Sequence, residues 1–118
     1  MQIPRPTPAD IDRFRSIVPD DPRVEVKPMF GNLGAFVHRN MFMGLFGADI
    51  GVKLAPADAD ALRTIEGAGP FGPAERPMGG YVTLPPTLVG TPDGERWVAS
   101  ALAHVAALPP KAPKPAKG

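Results

Sequence analysis

The sequence predicts an α+β domain: a single antiparallel sheet with helices mainly on one face, in the order α-β(3-4)-α-β-α. Three observations carry this. Apolar residues recur at helical spacing in three places, each opened by Pro with Asp close behind. Between the first two of these, from Val24 to Leu54, the period changes to two, and short polar or glycine-bearing turns cut the stretch into pieces of strand length. The chain has 118 residues, of which 43% are apolar, enough for one core and too few for two domains.

The first helix starts at Thr7-Pro8-Ala9-Asp10. Thr can cap the free backbone N–H groups, Pro suits the first helical position, and Asp faces the positive end of the dipole. Ile11, Phe14, Ile17 and Val18 form its apolar face, with Asp10/Arg13 and Asp12/Arg15 expected to pair on the other. Pro19 stops the helix, and "PDDPR" is a loop. Val24 and Val26 then alternate with Glu25 and Lys27. Leu33, Ala35 and Val37 alternate with Gly34, Phe36 and His38. "HRN" is a turn, Met41–Phe46 a strand, "GAD" a turn, and Ile50–Leu54 a strand. The glycines are expected at turns and strand ends. Phe30, Phe36, Phe42 and Phe46 are expected mostly inside, because a small domain needs its large apolar side chains there.

Pro56 opens the second helix, with Ala61, Leu62 and Ile65 as its buried stripe and Gly67 as its stop. "GAGPFGPAERPMGG" has no period of its own and reads as a long loop. Tyr81–Leu84 is a strand ended by Pro85-Pro86. Thr91-Pro92-Asp93 opens the last helix, whose stripe is Trp97, Val98, Ala101, Leu102, Val105 and Leu108. The organisation expected is therefore an irregular start over 1–6, a folded domain over 7–108, and a disordered Pro/Lys tail over 109–118.

The chemistry visible along the chain is sparse. There is no cysteine, which excludes disulfides, thiolate catalysis and cysteine-ligated zinc and favours a reducing, cytoplasmic setting. A net charge of +1 gives no strong field toward nucleic acid. The longest apolar run, "MFMGLFGA", falls far short of the roughly 20 residues that span a bilayer, so no membrane role is expected. His38 and His104 have no carboxylate at ligand spacing, so no metal and no cofactor are assigned. Ser16 and Ser100 lie mid-helix without a nucleophile's context, and no catalytic residue is assigned. Gly31-Asn32-Leu33-Gly34 and Gly44-Leu45-Phe46-Gly47 match neither phosphate-loop pattern.

"MFGNLGAFVHRNMFMGLFGADIGVKL" followed by "RPMGGYVTLP" resembles the N-terminal domain of the TfoX/Sxy family of bacterial competence regulators. Met29, Phe30, Gly31, Gly34, Met41, Phe42, Lys53, Pro77, Met78 and Tyr81 carry the likeness, which runs over about residues 9–108. Asn32 stands where the family has a second glycine, and Asn also tolerates a positive φ. The resemblance implies a fold like that of the type III secretion chaperones, often dimeric, and a role in regulating gene expression without enzymatic activity. Full-length regulators carry a second, helical domain, whereas this chain runs into the Pro/Lys tail, so a stand-alone form is expected.

The first expectation is thus a noncatalytic protein-interaction module. Its candidate surface is Met29, Phe30, Lys53, Arg76, Met78 and Tyr81, its protein partner is unidentified, and a homodimer is expected because one face of a single sheet needs covering. A second reading puts a ligand pocket or active site beneath the 67–80 loop beside Lys53, with Arg76 and Tyr81 as polar contacts. A third has the sheet bind nucleic acid weakly through aromatics interleaved with Lys27, His38, Arg39 and Lys53.

Overall fold

A computed structural model describes residues 4–109. Residues 1–3 and 110–118 lie outside the described part, and with them most of the segment expected to be a disordered tail. The elements are α1 (Pro8–Ile17), β1 (Val24–Met29), β2 (Asn32–Val37), β3 (Asn40–Phe46), β4 (Asp49–Lys53), α2 (Pro56–Arg63), β5 (Gly69–Pro70), β6 (Tyr81–Thr83) and α3 (Pro92–Ala106), with a 3-10 turn at Pro86–Leu88. The α+β class and the four-strand meander are as the periodicity predicts. The two-residue β5 lies inside the stretch read as a loop. It is too short and too rich in Gly and Pro to show a period.

All six strands form one antiparallel sheet in the order β1-β2-β3-β4-β6-β5. The first two hairpins have two-residue turns with positive φ at both central positions: Phe30 (49°) and Gly31 (79°), then His38 (50°) and Arg39 (67°). Both are the backbone that a type I′ turn requires. Asn32 is not one of these left-handed residues, contrary to expectation. It begins β2, almost fully buried, and its amide joins two distant backbones. Its Oδ1 accepts the Gly47 N–H at 2.8 Å and its Nδ2 donates to the Pro4 carbonyl at 3.1 Å.

One sheet face carries the main core. Leu33, Ala35, Val37, Phe42, Met43, Leu45, Ile50, Val52, Val82 and Leu84 meet Phe14 of α1, Ala59 and Leu62 of α2, and Val98, Ala101, Leu102 and Val105 of α3. The expected α2 stripe is displaced by two residues at one position: Ala59 is buried and Ala61 exposed. Ala59 and Leu62 lie three apart and share a face, whereas adjacent Ala61 and Leu62 do not. α1 is closed by a capping box in which Thr7 and Asp10 exchange hydrogen bonds. The expected Asp10/Arg13 pair gives way to that box, and Arg13 instead donates to the Ala48 carbonyl at 2.8 Å. Asp12 and Arg15 form no ion pair among the described residues.

Candidate functional site

The second sheet face is built on different terms. Pairing aligns Gly34, Gly44 and Gly51 across β2, β3 and β4. These glycines lie in mid-strand, not at turns or strand ends as expected. A Cβ on Gly51 would overlap the Phe71 ring, and one on Gly34 would approach the Met41 sulfur at 2.8 Å. The bare backbone is therefore a trough into which large side chains settle. A register shift at Ala35/Phe36 explains Met41. It pairs Ala35 with Met43 and Phe36 with Met41, leaving Phe42 as an extra residue on β3. Phe42 and Met43 then both enter the main core, while Met41 turns to the glycine face.

The cover over this trough comes from the aperiodic 68–80 segment. Phe71 is 1% exposed, meeting Phe46 edge-on at 6.2 Å and Tyr81 at 6.1 Å. The segment holds itself in place: Met78 N–H donates to the Phe71 carbonyl at 2.8 Å, and Thr83 Oγ1 to the Pro70 carbonyl at 2.8 Å. Tyr81 donates its hydroxyl to the Met41 carbonyl at 2.7 Å, and burial pushes its pKa up to about 12. Phe71 lies in the stretch expected to be a loop, while Phe30, Phe36, Phe42 and Phe46 are the phenylalanines expected inside. Of those four only Phe42 is fully buried. Phe36 and Phe46 are half-buried on the second face, and Phe30 is 78% exposed. The reason is geometric. Phe30 falls on a hairpin tip, and Phe71 reaches the sheet only because glycines leave room for it.

At one end of this face lies an apolar groove of about 330 Å³. Met29, Phe46, Phe71 and Met78 supply its walls, Phe30 and Arg76 its outer edge. The Asn32 amide ties the β1–β2 side of this end to the β3–β4 turn. The structure thus brings together four of the six candidate surface residues: Met29, Phe30, Arg76 and Met78. The other two lie on the far side of the 68–80 segment. Tyr81 lines a second depression of about 450 Å³ shared with Met78 and Arg63, and the Lys53 ammonium sits 5.7 Å from the Tyr81 ring. Arg76 and Tyr81 therefore do not converge on one chamber beside Lys53, and Phe71 fills the space over Gly51.

The residues of the nucleic-acid reading also separate. Lys27, His38 and Arg39 gather with Arg23 and Glu25 around Phe36 at the β1–β2 edge, while Lys53 lies across the sheet. Lys27 is 5.4 Å from the Phe36 ring but also pairs with Glu25 at 3.0 Å. Arg23 chelates Asp21, whose carboxyl is held down at about 2 by those hydrogen bonds. Among the described residues no three His, Cys, Asp or Glu side chains gather at metal-binding distance, and no helix is long and apolar enough to cross a membrane. A hollow of about 530 Å³ lies between α2 and α3 beside Trp97, Asp58 and Ser100, and one of about 270 Å³ between the end of α1 and α3.

Neither the curated proteins nor the solved structures contain a significant match to this chain. A family model does match, over residues 17–105, a span that takes in the whole sheet, the glycine trough, the 68–80 cover and nearly all of α3. The chain belongs to the TfoX N-terminal domain family.

Proposed function

We propose that this domain is a noncatalytic protein-interaction module of regulatory type, docking its partner on the groove between Met29, Phe46 and Met78, with Phe30 and Arg76 at its edge. One observation carries the reading. Phe30 is 78% exposed and has a φ of 49°, at a turn position that favours Asn, Asp or Gly. Left-handed backbone costs a side-chain-bearing residue roughly 1–2 kcal/mol, and leaving a Phe in water forgoes about 1.5–3 kcal/mol of burial. A sequence that accepts both at one position, beside an apolar groove, has a use for the ring. Thioether walls suit the role, since Met adapts to an incoming side chain.

Family membership supports a regulatory role in the bacterial cytoplasm. The 68–80 segment covers the middle of the second face, so a homodimer would have the groove end and the Phe36 edge of that face to cover. The test is affinity capture from native lysate on the immobilised chain and on its Phe30→Asn variant. A stoichiometric protein retained by the first and lost by the second is the expected result. No retained protein across several salt conditions would sink the reading.

The cluster around Phe36 keeps a nucleic-acid reading in view, with Arg39 and His38 as its outward groups. Two of its cations are already paired with carboxylates, which favours the protein reading. A salt titration of single-stranded DNA affinity separates the two. A steep slope centred on Arg39 would support nucleic acid, and no binding at low salt ends that alternative.

A further inference from the structure

We infer that the groove takes an acidic peptide segment: a bulky apolar anchor side chain with a carboxylate close beside it. This rests on the docking reading above and specifies the partner's chemistry. The walls are thioether and phenyl, so the part of the partner that enters must be apolar. Among the described residues the one charge lining the groove is cationic, from Arg76. That guanidinium is exposed and makes no ion pair among the described residues. Arg23, Lys27, Arg63 and Arg96 each pair with a nearby carboxylate, whereas Arg76 shares its unpaired state with Arg5, Arg15 and Arg39 and differs from them in lining an apolar groove. Glu75, its neighbour in sequence, does not compensate it. A basic segment would meet Arg76 with like charge and find no carboxylate in the lining. Nucleic acid would find one cation above a floor with no affinity for phosphate. A small amphiphilic acid could satisfy the walls and Arg76, but it would cover less of the exposed Phe30 ring at the groove's edge than a peptide backbone does. A peptide spans both, seating its anchor between Met29 and Met78 and laying its backbone against the projecting Phe30 ring. An arginine can also take a carboxylate through two parallel hydrogen bonds, which fixes the direction of the peptide.

The test is selection from a displayed library of random short peptides on three proteins: the wild-type chain, Arg76→Glu and Met78→Asp, each checked for its fold by circular dichroism. On the wild type, enriched peptides carry Asp or Glu next to Leu, Ile, Phe or Met. On Arg76→Glu the anchor persists and the neighbouring charge changes to Lys or Arg. On Met78→Asp enrichment is lost. An Arg76→Ala variant binds the enriched peptide roughly two- to fivefold more weakly, the scale of a partly exposed ion pair. Enriched peptides with no acidic preference, or one unchanged in Arg76→Glu, overturn the inference while leaving the docking face in place. No enrichment on any of the three overturns both. Two other occupants have their own signatures, and either overturns the inference. Decanoate binding the groove more tightly than the enriched peptides would assign it to a small amphiphile. Concentration-dependent sedimentation abolished by Phe30→Asn would assign it to a second copy.

Discussion

The two faces of the sheet solve the same problem in different ways. On the first, three helices with apolar stripes cover alternating Val, Leu, Ile and Met side chains, and the fit spreads over many contacts. On the second, three aligned glycines expose bare backbone, and one ring, Phe71, with Met41 beside it, does most of the filling. Distributed packing closes the first face over β2, β3, β4 and β6 and leaves Val24 and Val26 of β1 half-buried. Packing concentrated in one side chain closes only the centre of the second and leaves its end open as a groove. A small domain of this kind can thus keep an open apolar groove without losing its core.

The largest effects are expected from Phe42→Ala on the first face and Phe71→Ala on the second. Both rings are essentially buried, so each should cost about 3–5 kcal/mol by the usual cavity accounting. Their consequences should differ. Phe42→Ala should lower the urea midpoint of the whole domain. Phe71→Ala should also raise hydrogen exchange selectively in 68–80, below the denaturant at which α3 opens. Gly51→Ala, which makes the ring's seat too small, should reproduce that selective opening at about 1–3 kcal/mol. Equal exchange in 68–80 and α3 for Phe71→Ala would mean that the two faces are one cooperative unit.

Tyr81 makes the second face sensitive to pH. Its folded-state pKa is raised from 10.0 to about 12 by burial, so the unfolded chain loses the phenol proton first. The stability this gives is complete below pH 10 and is lost as pH rises from 10 to 12. Urea denaturation across that window should show a fall in the wild type that is absent in Tyr81→Phe. At neutral pH the same variant should lose only about 1 kcal/mol, for the hydrogen bond to the Met41 carbonyl.

The smallest expected effect has the opposite sign. Phe30→Asn should raise stability by about 0.5–1 kcal/mol, because Asn accepts the left-handed turn that Phe resists. A higher melting temperature together with lost partner capture would place the function on the open end of the second face. A lower melting temperature would mean that the Phe30 ring supports the fold.

The first face was legible because its signals are local and periodic. Val24 and Val26, then Leu33, Ala35 and Val37, repeat at two. Phe14, Leu62, Val98, Leu102 and Val105 sit on helical stripes, and Thr7 and Thr91 mark helix starts with their caps. The second face had no such signal. Glycine has no hydropathy to read, Phe71 stands in a segment without period, and the bulge at Phe42 alters which face Met41 takes. Of the candidate surface, Met29, Phe30, Arg76 and Met78 come from segments more than forty residues apart and meet only in space. The family likeness marked most of these residues, while their division from Lys53 and Tyr81 depends on where Phe71 seats the cover.

Period, caps and turn chemistry act between near neighbours, so the order of the three helices and five longer strands, the antiparallel meander and the helix-covered core are written in the chain itself. Only the tertiary structure decided that three glycines line up, that Phe71 falls into the trough they make, and that Phe30 is left outside beside an open groove. Those outcomes depend on strand register, and a shift of one residue in register moves every side chain of a strand to the opposite face.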